Sequence, residues 1–221
     1  MKHLFLAGAT AAMLIAGSSQ AYAKSDKRDV VANYDFSGFD KIEIAGVYEL
    51  DIQAGNRFSV RTEATQKQAK RLRVELDGDT LVLARNEESK SWKNKNNNDG
   101  SVLVIVTMPR LTDLEVAGVA TGEISAFTGG SIDIDIAGVG DLTLSGTCDE
   151  LDIDVAGVGE VDARDLKCDH VDADLGGVGE LSVYASESVD ASAGGIGSID
   201  VYGDPEETHI DDGFMAKVKM R

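Results

Sequence analysis

The sequence predicts an all-β fold, a single-stranded parallel β-helix or solenoid with about 20 residues per coil and less regular N-terminal coils. Three observations predict it. A short segment ending in glycine recurs at near-constant intervals; apolar residues alternate with acids inside each copy; and 24 glycines with only 2 prolines favour strands joined by tight turns.

The repeat is visible without gaps. Leu114 to Gly118 (LEVAG), Ile134 to Gly138 (IDIAG), Ile153 to Gly157 (IDVAG), Ala173 to Gly177 (ADLGG) and Ala191 to Gly195 (ASAGG) align, and their glycines lie 20, 19, 20 and 18 residues apart. Ile42 to Gly46 (IEIAG) is an outlying copy. After the glycine comes Val119, Val139, Val158, Val178 or Ile196, and in four copies a second glycine, Gly140, Gly159, Gly179 or Gly197. Tyr48 and Ala120 stand at that second position in their copies, which predicts a different corner there.

Each copy reads as one coil stacked in register on the next, about 4.8 Å away. Ile132, Ile134 and Ile136 point one way and Asp133 and Asp135 the other, the period-2 pattern of a half-buried strand. Glycine in a strand weakens it, so a column of glycines predicts a corner that needs positive φ or close backbone approach. The Val or Ile between the two glycines is expected to plug the core at that corner.

The chain divides as follows. Residues 1–23 have the layout of a signal peptide: basic Lys2, an apolar run from Leu4 to Ile15, and Ala21 and Ala23 at a small-residue cleavage site. Residues 24–35 are read as a tail, and residues 36–221 as a single solenoid domain, most regular at 111–203. Strands are expected at Lys41 to Ile44, Tyr48 to Ile52, Ser59 to Thr62, Arg71 to Leu76, Leu81 to Ala84 and Val102 to Thr107. A hairpin turn is expected at Asp77-Gly78-Asp79 and one helical turn within Ala64 to Lys70. Nothing after the leader approaches 18 unbroken apolar residues, so no transmembrane segment is expected and the product should be periplasmic or displayed at the cell surface.

Without its leader the chain would carry 20 basic and 39 acidic residues, a net charge near −19. That surface repels nucleic acid and anionic headgroups and favours cations or basic partners. Stacking turns the acids into two outward columns, one of Asp113, Asp133, Asp152, Asp172 and Asp190, the other of Glu115, Asp135, Asp154 and Asp174. Solvated ladders of this kind oppose aggregation. Alternatively Ca²⁺, which takes 6 to 8 oxygens, would sit between rungs at Asp133, Asp135, Asp152, Asp154, Asp172 and Asp174. Gly176 to Tyr184 imitates a calcium-binding nonapeptide, but Leu181 occupies its Asp position.

Cys148 and Cys168 fall at the same place in consecutive coils, within disulfide reach, which leaves a bridge or an unbridged thiol pair. Trp92, in the polar stretch Asn86 to Gly100, is a candidate for stacking on a sugar ring. Catalytic machinery is thin: His170 and His209 have no nucleophile in motif context, and Arg164 and Lys167 are the basic residues of the regular coils. Alternating Ala216, Val218 and Met220 against Lys217, Lys219 and Arg221 predicts a basic edge strand that deters end-to-end stacking.

The opening FSGFDKIEIAGVYELDI, the recurring AGVG-[DE] corners and the closing VYGDP resemble the head GIN domain over roughly Phe36 to Pro205. This is a bacterial family of unknown function labelled an auto-transporter adhesin. The resemblance implies an exported β-helix-like fold and carries no active site over. The expected function is a non-catalytic envelope module, binding or structural, for an unknown envelope or extracellular ligand, glycan or protein. The rival is a polysaccharide-active enzyme using acids and Ca²⁺. Oligomeric state is not legible.

Overall fold

The computed structural model describes residues 28–86 and 100–221, so the signal-peptide expectation and Trp92 lie outside the described residues. The chain runs β1 (Val30–Tyr34), β2 (Lys41–Ala45), β3 (Val47–Ala54), β4 (Ser59–Ala64), the one-turn helix α1 (Gln66–Ala69), β5 (Leu72–Asp77), β6 (Thr80–Arg85), β7 (Val102–Met108), β8 (Asp113–Val116), β9 (Val119–Thr128), β10 (Ser131–Ile136), β11 (Val139–Val155), β12 (Val158–Asp174), β13 (Val178–Ala193), β14 (Ile196–Tyr202), β15 (Glu207–Asp212) and β16 (Met215–Met220). Each expected strand is present to within two residues at either end. Thr65 caps α1 through a reciprocal bond with Gln68, which accounts for its single turn.

The regular coils stack in parallel with residue-for-residue register. On one face Ile134 pairs with Ile153, and Ile153 with Ala173; on the other Leu142 pairs with Val161, and Val161 with Leu181. These side chains are buried and fill a continuous core between the two faces. Period-2 alternation drives this: every second residue is apolar and inward, and the residues between are exposed.

The corner glycines allow coils to approach. A Cβ on Gly138 would sit 1.9 Å from the carbonyl oxygen of Gly118, and one on Gly157 1.9 Å from that of Gly138. Those distances exclude any side chain. The same carbonyls accept the N–H of the next coil's valine, Val139 to Gly118 at 2.8 Å and Val158 to Gly138 at 2.9 Å. The outlying copy joins this column directly, since Gly118 packs on the backbone of Gly46.

Three features differ from the sequence expectation. Val139, Val158, Val178 and Ile196 do not plug the core; they are 43–52 % exposed. The alternation carries on past the corner, so Ile136, Gly140 and Leu142 are buried, Gly138 faces the backbone of the neighbouring coil, and Val139 falls on the exposed parity. The N-terminal rungs are also out of chain order. β6 and β7 stack outside β2 and β3, which in turn receive β8 and β9. Finally, part of the expected tail is a strand: β1 pairs antiparallel with β4, itself antiparallel to β7. With the β5–β6 hairpin, turned at Gly78 (φ +62°), these antiparallel strands occupy the N-terminal end of the stack. At the other end β15 pairs only with β13 and β16 only with β14. The basic side chains of β16 and of Arg221 just after it are held by acids, Lys219 and Arg221 by Asp200 and Lys217 by Asp212, as befits an edge strand.

Cys148 and Cys168 are buried, with Cα atoms 4.5 Å apart on adjacent coils, and the structure joins them as a disulfide. The bridge closes a 20-residue separation. Chain-entropy reasoning then predicts that Cys148→Ala with Cys168→Ala costs about 3 kcal/mol. Denaturant unfolding of oxidised protein against that variant checks it, and mass spectrometry after thiol alkylation reads whether the bridge has formed.

Candidate binding ridge

The outward corner residues form one column. Val47, Val119, Val139, Val158, Val178, Ile196 and Met215 are consecutive partners in register, so an apolar ridge runs along the stack. Seven rungs span roughly 29 Å at about 4.8 Å per step. All but Val119 are at least 43 % exposed, and Phe214, almost fully exposed, stands beside Met215 at the C-terminal end.

Charge borders the ridge on both sides. Four residues before the first five corners lie Glu43, Glu115, Asp135, Asp154 and Asp174, paired rung to rung. Two residues after it lie Asp141, Glu160 and Glu180, likewise in register. The predicted acid columns therefore exist, and the second of them runs parallel to the ridge beyond an exposed strip of Ala117, Ala137, Ala156 and Gly176. The first begins beside Lys41 and ends beside His209, so a basic residue stands at each end of the Asp113 to Asp190 row.

The expected calcium positions, Asp133, Asp135, Asp152, Asp154, Asp172 and Asp174, lie on these parallel rows. Among the described residues no group of three or more His, Cys, Asp or Glu side chains is arranged to hold a metal ion. Partial burial pushes the carboxyls of Asp113, Asp152, Asp154 and Asp172 above the usual range, and the neighbouring acids Asp133, Asp172, Asp174 and Asp190 respectively add to it.

A pH dependence follows. A carboxyl whose pKa is higher folded than unfolded contributes stability below the unfolded value, near 4, and loses it as pH rises through the folded value. Asp212 works in the opposite sense, held low by the Val218 N–H and by Lys217, and it opposes the trend only on stronger acidification. At low ionic strength the Tm should therefore rise as pH falls from 7 toward about 4, and added salt at pH 7 should also raise it. A Tm that falls steadily over that interval would refute the ladder effect.

Arg164 is paired on the surface. Its guanidinium is 2.7 Å from Asp162 and stacks 5.3 Å from the Tyr202 ring, while Lys167 covers Tyr184 at 3.8 Å. His170 meets the Ser188 hydroxyl at 2.8 Å. At the N-terminal end, beside Gly46 and the ends of β6 and β7, lies a cavity of about 370 Å³. Tyr48, Gln68, Arg71, Leu72, Arg85 and Ser101 line it. The Tyr48 hydroxyl donates to the Ala84 carbonyl at 2.7 Å, and burial pushes its pKa up. Neither ridge nor cavity was picked out from the sequence. Alternation carried through the glycines would have found the ridge, whereas the cavity depends on the out-of-order rungs.

Register, glycine column and end strands define the class, a parallel β-solenoid with its acidic columns facing outward. The family model described as "Putative auto-transporter adhesin, head GIN domain" matches residues 38–205, and the chain belongs to that family. Among solved structures, a crystal structure of a putative adhesin from Bacteroides fragilis superimposes with a TM-score of 0.67 at 20% identity, covering 87% of this chain and 96% of that one. A putative adhesin from Parabacteroides distasonis gives 0.47 at 15% identity, covering 87% and 96%. A putative lipid binding protein from the same species gives 0.42 at 20% identity, covering 86% and 96%. No curated protein matches. Among the described residues no helix is long and apolar enough to cross a membrane.

Proposed function

We propose that the chain is an exported, non-catalytic binding module of the bacterial envelope, of adhesin type, in the periplasm or at the cell surface. The observation that carries this reading is the ridge: a rigid stack presents the same apolar residue class outward on rung after rung, between rows of charge. Scattered exposed apolar side chains need no explanation, but a contiguous exposed stripe marks an interaction surface. Membership of the head GIN family and the adhesin names of its structural neighbours agree with that reading. Calcium enters it as a diffuse counterion that screens the carboxylate rows.

The test is binding of labelled mature protein to intact cells and isolated envelope fractions. Saturable binding, competed by unlabelled protein, is the expected result. Absence of saturable binding to every fraction would overturn the reading, as would turnover of uronate polymers that disappears in Arg164→Ala.

A further inference from the structure

We propose that the ridge binds a linear, cationic polypeptide segment carrying an apolar stripe, a proposal that rests on the binding-module reading and names its partner class. The ridge centre is aliphatic, represented by Val139, Val158 and Val178, so it rewards burial of aliphatic groups; the aromatic beside it, Phe214, stands at the C-terminal end and not along the acid-flanked rungs. Carboxylates stand on both sides, Asp135, Asp154 and Asp174 against Asp141, Glu160 and Glu180. A complementary partner therefore has an apolar centre with basic flanks.

The same charges disfavour the other occupants. A second copy laid ridge to ridge would set carboxylate rows against carboxylate rows, and an anionic lipid surface would be repelled in the same way. The exposed apolar area is on the order of a few hundred Å². A stable globular interface needs about 800 Å² per partner, so a narrow strip suits a single segment. Roughly 29 Å of ridge matches about 19 residues of helix or about 9 of extended chain.

The experiment is titration calorimetry of the full mature chain with three probe peptides of about 19 residues. One carries Lys and Leu at helical amphipathic spacing, one is oligolysine of equal charge, and one replaces each Lys by Glu. The Lys–Leu peptide should bind, weaken with added salt, and exceed oligolysine by at least about tenfold. The Glu–Leu peptide should not bind. Val139→Thr, Val158→Thr and Val178→Thr combined keep the β-branched shape on exposed positions and should lose about tenfold for the Lys–Leu peptide alone. Asp141→Asn, Glu160→Gln and Glu180→Gln combined should lose both affinity and salt dependence. Equal binding of the Lys–Leu peptide by the threonine variant and the wild type would overturn the proposal. So would oligolysine binding as tightly, or binding of phosphatidylglycerol vesicles that the threonine variant loses.

The two readings fail separately. If wild type and threonine variant bind envelopes alike and neither takes the Lys–Leu peptide, the adhesin-type reading stands and the ridge assignment falls. If the wild type binds no envelope fraction yet takes the peptide in a valine-dependent way, the reverse holds.

Discussion

Gly138→Ala is expected to cost about 3 kcal/mol or more, lowering the Tm by about 6–12 °C. The added Cβ would lie 1.9 Å from the Gly118 oxygen and 2.9 Å from its carbonyl carbon, and those atoms are backbone. A flexible neighbour could swing aside. Here the coil itself must move, and with it the hydrogen bond from Val139 to Gly118 at 2.8 Å. Gly157→Ala and Gly177→Ala meet the same obstacle at 1.9 Å. Gly194→Ala is the control: a Cβ there meets nothing within 4 Å, at the position where other coils carry Ala137 and Ala156. That substitution should be neutral or stabilise by about 0.4–1 kcal/mol through the unfolded chain. Thermal unfolding of the four variants decides the matter, and equal effects at Gly138 and Gly194 would contradict the stacking geometry.

The second large effect contrasts two neighbours on one strand. Ile153 is fully buried between Ile134 and Ala173, so Ile153→Ala should cost about 2–5 kcal/mol. Asp154, one residue on, faces outward between Asp135 and Asp174; partial burial raises its pKa, and Asp174 and Asp135 add to that. Asp154→Asn removes like-charge repulsion and should leave stability unchanged or raise it, most visibly at low salt. Urea unfolding at neutral pH and two salt concentrations measures both. Destabilisation by Asp154→Asn as large as that by Ile153→Ala would mean that the ladder is held by specific ions rather than solvated.

The contrast shows what was legible in the sequence. Period-2 alternation fixes which side of a strand is apolar, and a glycine period near 20 fixes which residues stack. Together they place Ile134 over Ile153, Asp133 over Asp152 and Cys148 over Cys168, all of which are register partners. The corner valines misled for a physical reason. Hydrophobicity suggests burial, yet their parity with Asp135 and Asp141 puts them outside, and parity is the stronger constraint on a continuous extended chain. The end strands were hidden because antiparallel pairing of β1 with β4 is set by partners distant in sequence and leaves no repeat behind. The cavity beside Tyr48 was hidden for a related reason: its lining comes from β3 and from the ends of β6 and β7, which stack outside β2 and β3 although they follow them in the chain.

Amide hydrogen exchange at Val139, Val158, Val178 and Ile196 tests the stacked-coil account most directly. Their side chains are exposed, so a corner in solvent would exchange quickly, but their N–H groups donate to Gly118, Gly138, Gly157 and Gly177 at 2.8–2.9 Å one coil away. The account predicts that these four amides exchange only as slowly as the buried core amides, through global unfolding. Exchange at the rate of an open turn would contradict it.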